Sequence, residues 1–211
     1  MTDPSSPKWR RRARARPAEI VQAAYEVFSE KGFAAARLDD IARRAGVSKG
    51  ALYLYFETKQ DIFEAVVKDA VAPNIGAIET FALAFPGTFE ELIRMMVPRV
   101  ASVVNQSGMG KVIKMVIGES GNFPEIARIW HDDVIAKAIG LLTRLIEQAQ
   151  QRGEVRSGDP RLHALSIAGP MLAGVIFRET FVPVGAKPFD IDALMQQHLD
   201  NLLPGLLASR S

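Results

Sequence analysis

Tyr53, Tyr55 and Lys59 bring two phenolic hydroxyls and an ammonium group into seven residues, the donor types that reach phosphate oxygens on a nucleic-acid backbone. Taken singly, each is equally an ordinary half-buried aromatic or a solvated lysine. The weight comes from the stretch that leads into them, LDDIARRAGVSKGALYLYF at 38–56, which is a set of steric demands for two short crossing helices. Ile41, Ala45, Leu52 and Tyr55 fall where such helices bury a shared face, and Ala42 sits where they pass closest. Gly46 occupies the turn, where a positive φ makes a Cβ costly. Val47 fills the space beneath it, and Ser48 is placed to cap the second helix by accepting from its free amides. The pattern is a helix-turn-helix, and the chemistry it implies is insertion of a helix into DNA.

Residues 17–68, from PAEIVQAAYEVFSEKGF through GFAAARLDDIARRAGVSKGALYLYFETKQDIFEAVV, resemble the N-terminal domain of the tetracycline repressor (TetR) family of bacterial transcriptional regulators. The resemblance implies that Lys49, Gly50, Ala51 and Leu54 lie on the recognition helix and face the major groove. It also implies that Ser48, Tyr53, Tyr55 and Lys59 contact phosphates. The chain departs from the family at Arg37, where Ser or Thr is common; the change gives up a neutral cap and adds a cation as a further candidate phosphate contact.

The elements that must position these groups are helical throughout. A first helix is expected from Pro17, a favourable first-turn residue, to Gly32, with Ile20, Ala24, Tyr25 and Phe28 inward. Thr58-x-x-Asp61 reads as a capping box opening a fourth helix that runs towards Pro73. A second such start, Thr88-x-x-Glu91, opens a helix carrying Pro98, where a kink is expected. Further helices are expected at about 110–117, 124–152, 160–181 (capped by Asp159) and from Asp190 to about 204. The fold class expected is all-α: a disordered basic arm at 1–16, a three-helix DNA-binding domain at 17–70, and a helical ligand-binding and dimerisation domain at 71–211.

Charge agrees with this division. Residues 1–72 hold 13 Lys and Arg against 10 Asp and Glu, and the remainder 13 against 14. The excess is concentrated in Lys8, Arg10, Arg11, Arg12, Arg14 and Arg16. That arm is either a solvated tail or a strand of cations laid along phosphates or in the minor groove, and both make DNA binding salt-dependent. Trp9 within it is equally a docking group or an accident of the chain end.

The last two helices carry the dimer expectation. Residues 160–181 are apolar almost all round, with Gly169, Ala173 and Gly174 permitting close approach, and the final helix adds Ile191, Leu194, Leu199 and Leu202. Two such helices from each of two subunits form a four-helix interface that sets paired recognition helices on a palindromic operator in double-stranded DNA. Met95, Met96, Met115, Phe123, Trp130 and Phe177 are the candidates for an apolar effector pocket. The expected function is a sequence-specific regulator, a repressor released by a small, largely apolar molecule. The alternative is an architectural DNA binder indifferent to sequence and without a ligand.

Other chemistries find little support. The chain has no Cys, and its apolar stretches are expected to fall short of a membrane span, so a cytoplasmic protein is expected. His131 followed by Asp132 and Asp133, and His163 four residues after Asp159, suggest metal ligands, but such pairs are common by chance and no completing ligand is evident in sequence. Phosphate loops, nucleophile elbows and His-Glu protease motifs do not occur, so neither catalysis, a cofactor nor a metal is expected.

Overall fold

The computed structural model describes residues 8–68, 72–106 and 108–208, with side chains from residue 17 onward except 72–75 and 106. Eleven α-helices follow one another among these residues: α1 (Lys8–Ala35), α2 (Leu38–Arg44), α3 (Lys49–Tyr53), α4 (Lys59–Val66), α5 (Ala72–Ala84), α6 (Phe89–Gln106), α7 (Met109–Glu119), α8 (Pro124–Trp130), α9 (Ala136–Gln151), α10 (Pro160–Thr180) and α11 (Ile191–Leu206). The only extended pairing among them is a single antiparallel bridge between Val155 and Leu207. The expected all-α class is what is found.

Local chemistry sets most helix ends. Thr58 and Asp61 form a reciprocal capping box at α4, and Thr88 with Glu91 does the same before α6. Asp159 accepts from Arg161 and Leu162, and Asp190 from Asp192, opening α10 and α11. Gly153, at φ +73°, ends α9.

Several expectations are corrected. The first helix is not drawn as opening at Pro17: backbone helix continues back to Lys8, across residues expected to be a disordered arm, with Pro17 inside it. Arg and Ala, which fill most of 8–16, are strong helix formers. Residues 1–7, and the side chains of Trp9 and the basic cluster, lie outside those described. α5 was not foreseen, because its apolar residues surround the helix and leave no periodic stripe. The single long helix expected at 124–152 is divided by a π-helical turn at His131–Ile135. Pro160–Val184 is also long and apolar enough, by length and composition, to cross a membrane; Pro170 breaks that run in sequence but lies inside the continuous α10.

Packing divides the interior into two apolar clusters. One gathers α1 to α4 with α7 and α8 and reaches into α6, α10 and α11, centred on Ile20, Phe28, Phe33, Leu52, Ile62, Phe63 and Ile126. The other joins α6, α9, α10 and α11 through Phe89, Ile93, Leu145, Ile146, Ile167, Leu199 and Leu203. The DNA-binding unit therefore does not end at its own surface, since α1 packs on α7 and α4 on α8.

Gly46 is the tightest local requirement of the helix-turn-helix. It adopts φ +67°, and an added Cβ meets no atom within 4 Å, so only backbone strain opposes a side chain. Gly46→Ala is expected to lower stability by about 1–2 kcal/mol. Urea denaturation checks this; a loss near zero would show the turn relaxing without the positive φ.

Candidate nucleic-acid interface and effector cavity

The helix-turn-helix is held from beneath. Ile41, Ala42 and Leu52 are buried, Val47 and Ala45 pack against the same cluster, and the amide of Val47 bonds the Ala42 carbonyl at 3.0 Å. Ser48 accepts from the Ala51 amide at 3.1 Å, as its position predicted. Tyr55 is not part of the shared face: it is exposed, and Phe56, one residue on, packs into the core instead. The chain leaves α3 at Tyr53, so the helical register used to place Tyr55 inward no longer applies.

With Leu52 inward, α3 turns Lys49 and Gly50 to solvent, Ala51 half so, and Tyr53, Leu54 and Tyr55 form an exposed strip beyond it. Leu54 is 82% exposed, an apolar side chain with no fold-stabilising role. A Cβ on Gly50 would meet nothing within 4 Å, so the fold does not require glycine there. Lys49 forms an ion pair with Asp39 at 2.9 Å, and that hydrogen bond raises its pKa. Arg37 occupies the N-cap position of α2, exposed and without a side-chain bond to the helix.

Lys59 is placed differently from the expectation that it contacts phosphate. Its Nζ donates to the carbonyls of Phe33 (2.5 Å), Ala36 (3.1 Å) and Ala34 (3.3 Å), and lies 4.4 Å from the Phe33 ring centre. Burial lowers its pKa, against an opposing pull from Glu119. It thus satisfies carbonyls where α1 ends, an arrangement invisible in sequence because the acceptors are backbone atoms more than twenty residues away.

Between the two apolar clusters lies a cavity of about 220 Å³. α6 contributes Met96, Val100 and Val104; α7 contributes Met109 and Ile113; Trp130, Val134 and Ile135 come from α8 and the π-turn; and Ile78, Ala138, Leu141, Ala168, Met171 and Met195 are among the others that line it. Among the described residues, the only nitrogen or oxygen carried by a lining side chain is the indole nitrogen of Trp130. Of the candidates for this pocket, Met96 and Trp130 line it. Met95, Met115, Phe123 and Phe177 do not: Met115 is buried in the cluster shared with α1, Phe123 packs edge-on to Phe33 at 5.1 Å, and Phe177 pairs with Phe181 and Phe189. The walls are mostly Val and Ile, whose sequence signal is that of any core. Outside the cavity, His131 lies 2.7 Å from Asp132, while Asp133 pairs with Lys137.

A helix-turn-helix presented by a helical bundle that encloses an apolar cavity defines a ligand-responsive class of DNA-binding regulator. Residues 20–66 match the model of bacterial regulatory proteins of the TetR family, and residues 86–187 match a tetracyclin repressor-like C-terminal domain. The chain belongs to the TetR family of transcriptional regulators. It is 25% identical over 189 residues to the fatty acid metabolism regulator protein of Bacillus subtilis (strain 168), covering 89% of this chain and 94% of that one. It is 29% identical over 192 residues to the HTH-type transcriptional repressor BepR of Brucella suis biovar 1 (strain 1330), covering 86% and 88%. Its fold is similar to that of the Bacillus subtilis transcriptional regulator FadR solved in complex with stearoyl-CoA, with a TM-score of 0.74, 24% identity, and coverage of 89% and 98%.

The Lys59 geometry makes a stability prediction. Lys59→Ala leaves three carbonyls without their charged donor and is expected to cost about 1.5–3 kcal/mol in urea denaturation. A loss below about 0.5 kcal/mol, the usual range for a surface lysine, would return Lys59 to the solvent-facing role.

Proposed function

We propose that the chain is a repressor that binds a palindromic operator as a homodimer and leaves it when an apolar molecule fills the cavity. The observation that carries this reading is the face of α3: Lys49, Gly50, Ala51 and Leu54 are not needed by the fold and are turned outward together. We assign these four to base edges in the major groove, and Arg37, Ser48, Tyr53 and Tyr55 to phosphates. Lys49 must exchange Asp39 for a base or phosphate on binding, which places a carboxylate beside the duplex and disfavours loose, sequence-blind contact.

The dimer reading is supported by α10. Leu162, Leu165, Gly169, Leu172 and Ala173 recur at three- and four-residue spacing on a face left open to solvent. A second copy of α10 and α11 covers that face and sets two recognition helices about one turn of DNA apart. This accounts for the apolar length of α10 without a membrane, and a cytoplasmic protein follows from the role.

The effector class follows from the wall. A cavity with one side-chain polar atom selects for apolar area and shape, so an aliphatic group suits it. A related protein named for fatty acid metabolism and a similar fold holding stearoyl-CoA support the same class.

Selection of bound duplexes from a random pool at physiological salt tests the DNA reading. A palindrome with half-sites about one helical turn apart is expected. Tight, salt-sensitive binding without a consensus would instead indicate an architectural binder. Within the selected site, Lys49→Ala is expected to relax preference at one base position per half-site, with a cost of about 1–3 kcal/mol there, whereas Tyr53→Phe weakens all sequences alike. An unchanged preference profile for Lys49→Ala would remove it from the base-reading set.

The cavity is tested through Trp130, buried in its wall. In a Trp9→Phe background, stearoyl-CoA is expected to change Trp130 fluorescence saturably and to reduce affinity for the selected duplex. Saturable binding without loss of duplex affinity would leave a ligand site with no regulatory role.

A further inference from the structure

α1 breaks at Gly32, where φ +78° and ψ 172° depart from helix. The break takes the next two amides, Phe33 and Ala34, out of the helical ladder, and an unpaired amide in a partly buried segment is costly. Both are taken by one side chain from the other half of the molecule. Glu119, the last residue of α7, accepts from Phe33 N at 3.0 Å through Oε1 and from Ala34 N at 2.6 Å through Oε2. The fit is close: a Cβ on Gly32 would stand 2.5 Å from that Oε1. The carbonyls of the same segment are the ones held by Lys59. The peptide at 33–36 is therefore clamped between a carboxylate from the ligand-binding half and an ammonium group from the DNA-binding half, one residue before the N-cap of α2.

The other end of α7 lies in the cavity wall. Met109 and Ile113 line the cavity, and Glu119 stands about 15 Å further along the same helix axis from Met109. A helix of this length moves as one body, so a displacement needed to admit a ligand between Ile113 and Trp130 is delivered to Glu119. Hydrogen bonds of 2.6–3.0 Å do not stretch by an ångström and survive.

The geometry points to Glu119 as the positioning residue through which cavity occupancy reaches the helix-turn-helix: its bidentate hold on Phe33 and Ala34 keeps α2 and α3 in the DNA-binding disposition, and movement of α7 releases it. The inference rests on the reading of the cavity as the effector site, and its test separates the two.

A double-mutant cycle joins Glu119→Gln to Ala138→Phe, in which a ring added at the α9 part of the cavity lining stands in for a ligand. The probe is the duplex recovered in the selection above. In the Glu119 protein, Ala138→Phe is expected to weaken duplex binding about tenfold, within the range of ordinary coupling between sites. It should also speed hydrogen exchange at the Phe33 and Ala34 amides. Glu119→Gln, which replaces one acceptor by a donor, should weaken binding by a similar factor, and Ala138→Phe should then add less than about twofold. Independent tenfold losses that multiply, or exchange at Phe33 and Ala34 unmoved by Ala138→Phe, would overturn the role of Glu119 and leave the effector reading standing. Duplex binding insensitive to Ala138→Phe in both backgrounds would overturn the effector reading, and the coupling with it. If Glu119→Gln does not fold, Glu119→Asp keeps the charge but withdraws it by one methylene, and carries the same comparison.

Discussion

The helix-turn-helix stands on an aromatic cluster that does not belong to it. α2 and α3 are seven and five residues long, and between them bury Ile41, Ala42 and Leu52. Helices so short are unstable alone, and three buried side chains give them no fixed orientation. That comes from Phe28, Phe33 and Phe63, whose rings pack at 5.5–5.9 Å, and from Phe123, which closes on Phe33 at 5.1 Å. Each ring contributes roughly 1.5–3 kcal/mol of burial, and the ring pairs about 0.5–1.5 kcal/mol more. Phe123 is the residue immediately before α8, so the ligand-binding half supplies one wall of the DNA-binding core. The two halves cannot move independently without opening that cluster.

This dependence explains which features could be read from sequence. Gly46, Ser48 and the Thr58–Asp61 box act within four residues of themselves, and their structural roles are those expected from spacing alone. The inward hold of Lys59 was not legible because a lysine behind a recognition helix has the same local sequence whether it faces phosphate or the end of α1; its acceptors are distant backbone carbonyls. Tyr55 was misread because the helix ends two residues before it, which hands the inward position to Phe56. Size and polarisability drew attention to Met115, Phe123 and Phe177 as pocket candidates, whereas the cavity wall is chosen by how α6, α7, α9 and α10 cross. Valines and isoleucines at a cavity edge carry the same pattern as those in a filled core. Glu119 had no signal at all, since its partners are two peptide amides exposed by a glycine 87 positions earlier.

The position of the cavity has a physical consequence. It lies at the seam between the two apolar clusters, with Val104, Met109, Trp130, Val134 and Met195 from one and Ile93, Met96, Leu141 and Ile167 from the other. Protein interiors are close-packed, so a gap there is stable only where neither cluster can collapse into it. Filling it tightens contacts in both clusters at once, which makes a ligand at the seam able to alter their relative placement. The π-turn at His131–Ile135 contributes Val134 and Ile135 to the same wall. Such turns fit one extra residue into a helix and are frequent at functional sites.

If the cavity is the effector site proposed above, a wall with one side-chain hydrogen-bonding atom limits how finely the protein can discriminate. Each methylene added to an aliphatic ligand contributes at most about 0.8 kcal/mol, until the chain meets the far end of the cavity. Beyond that point, extra length must be accommodated by displacing helices. Selection among chains therefore rests on what happens when the cavity is overfilled, and so do the populations of the two states, because a ligand shifts an equilibrium only by its differential affinity for them. Under that proposal a chain short enough to fit without moving α7 would bind both states alike and leave the DNA affinity where it was. A longer one favours the displaced state by the strain it relieves there. In a site built this way, affinity and regulatory effect are separate functions of chain length, with affinity growing from the first methylene and the effect beginning only where the wall must yield.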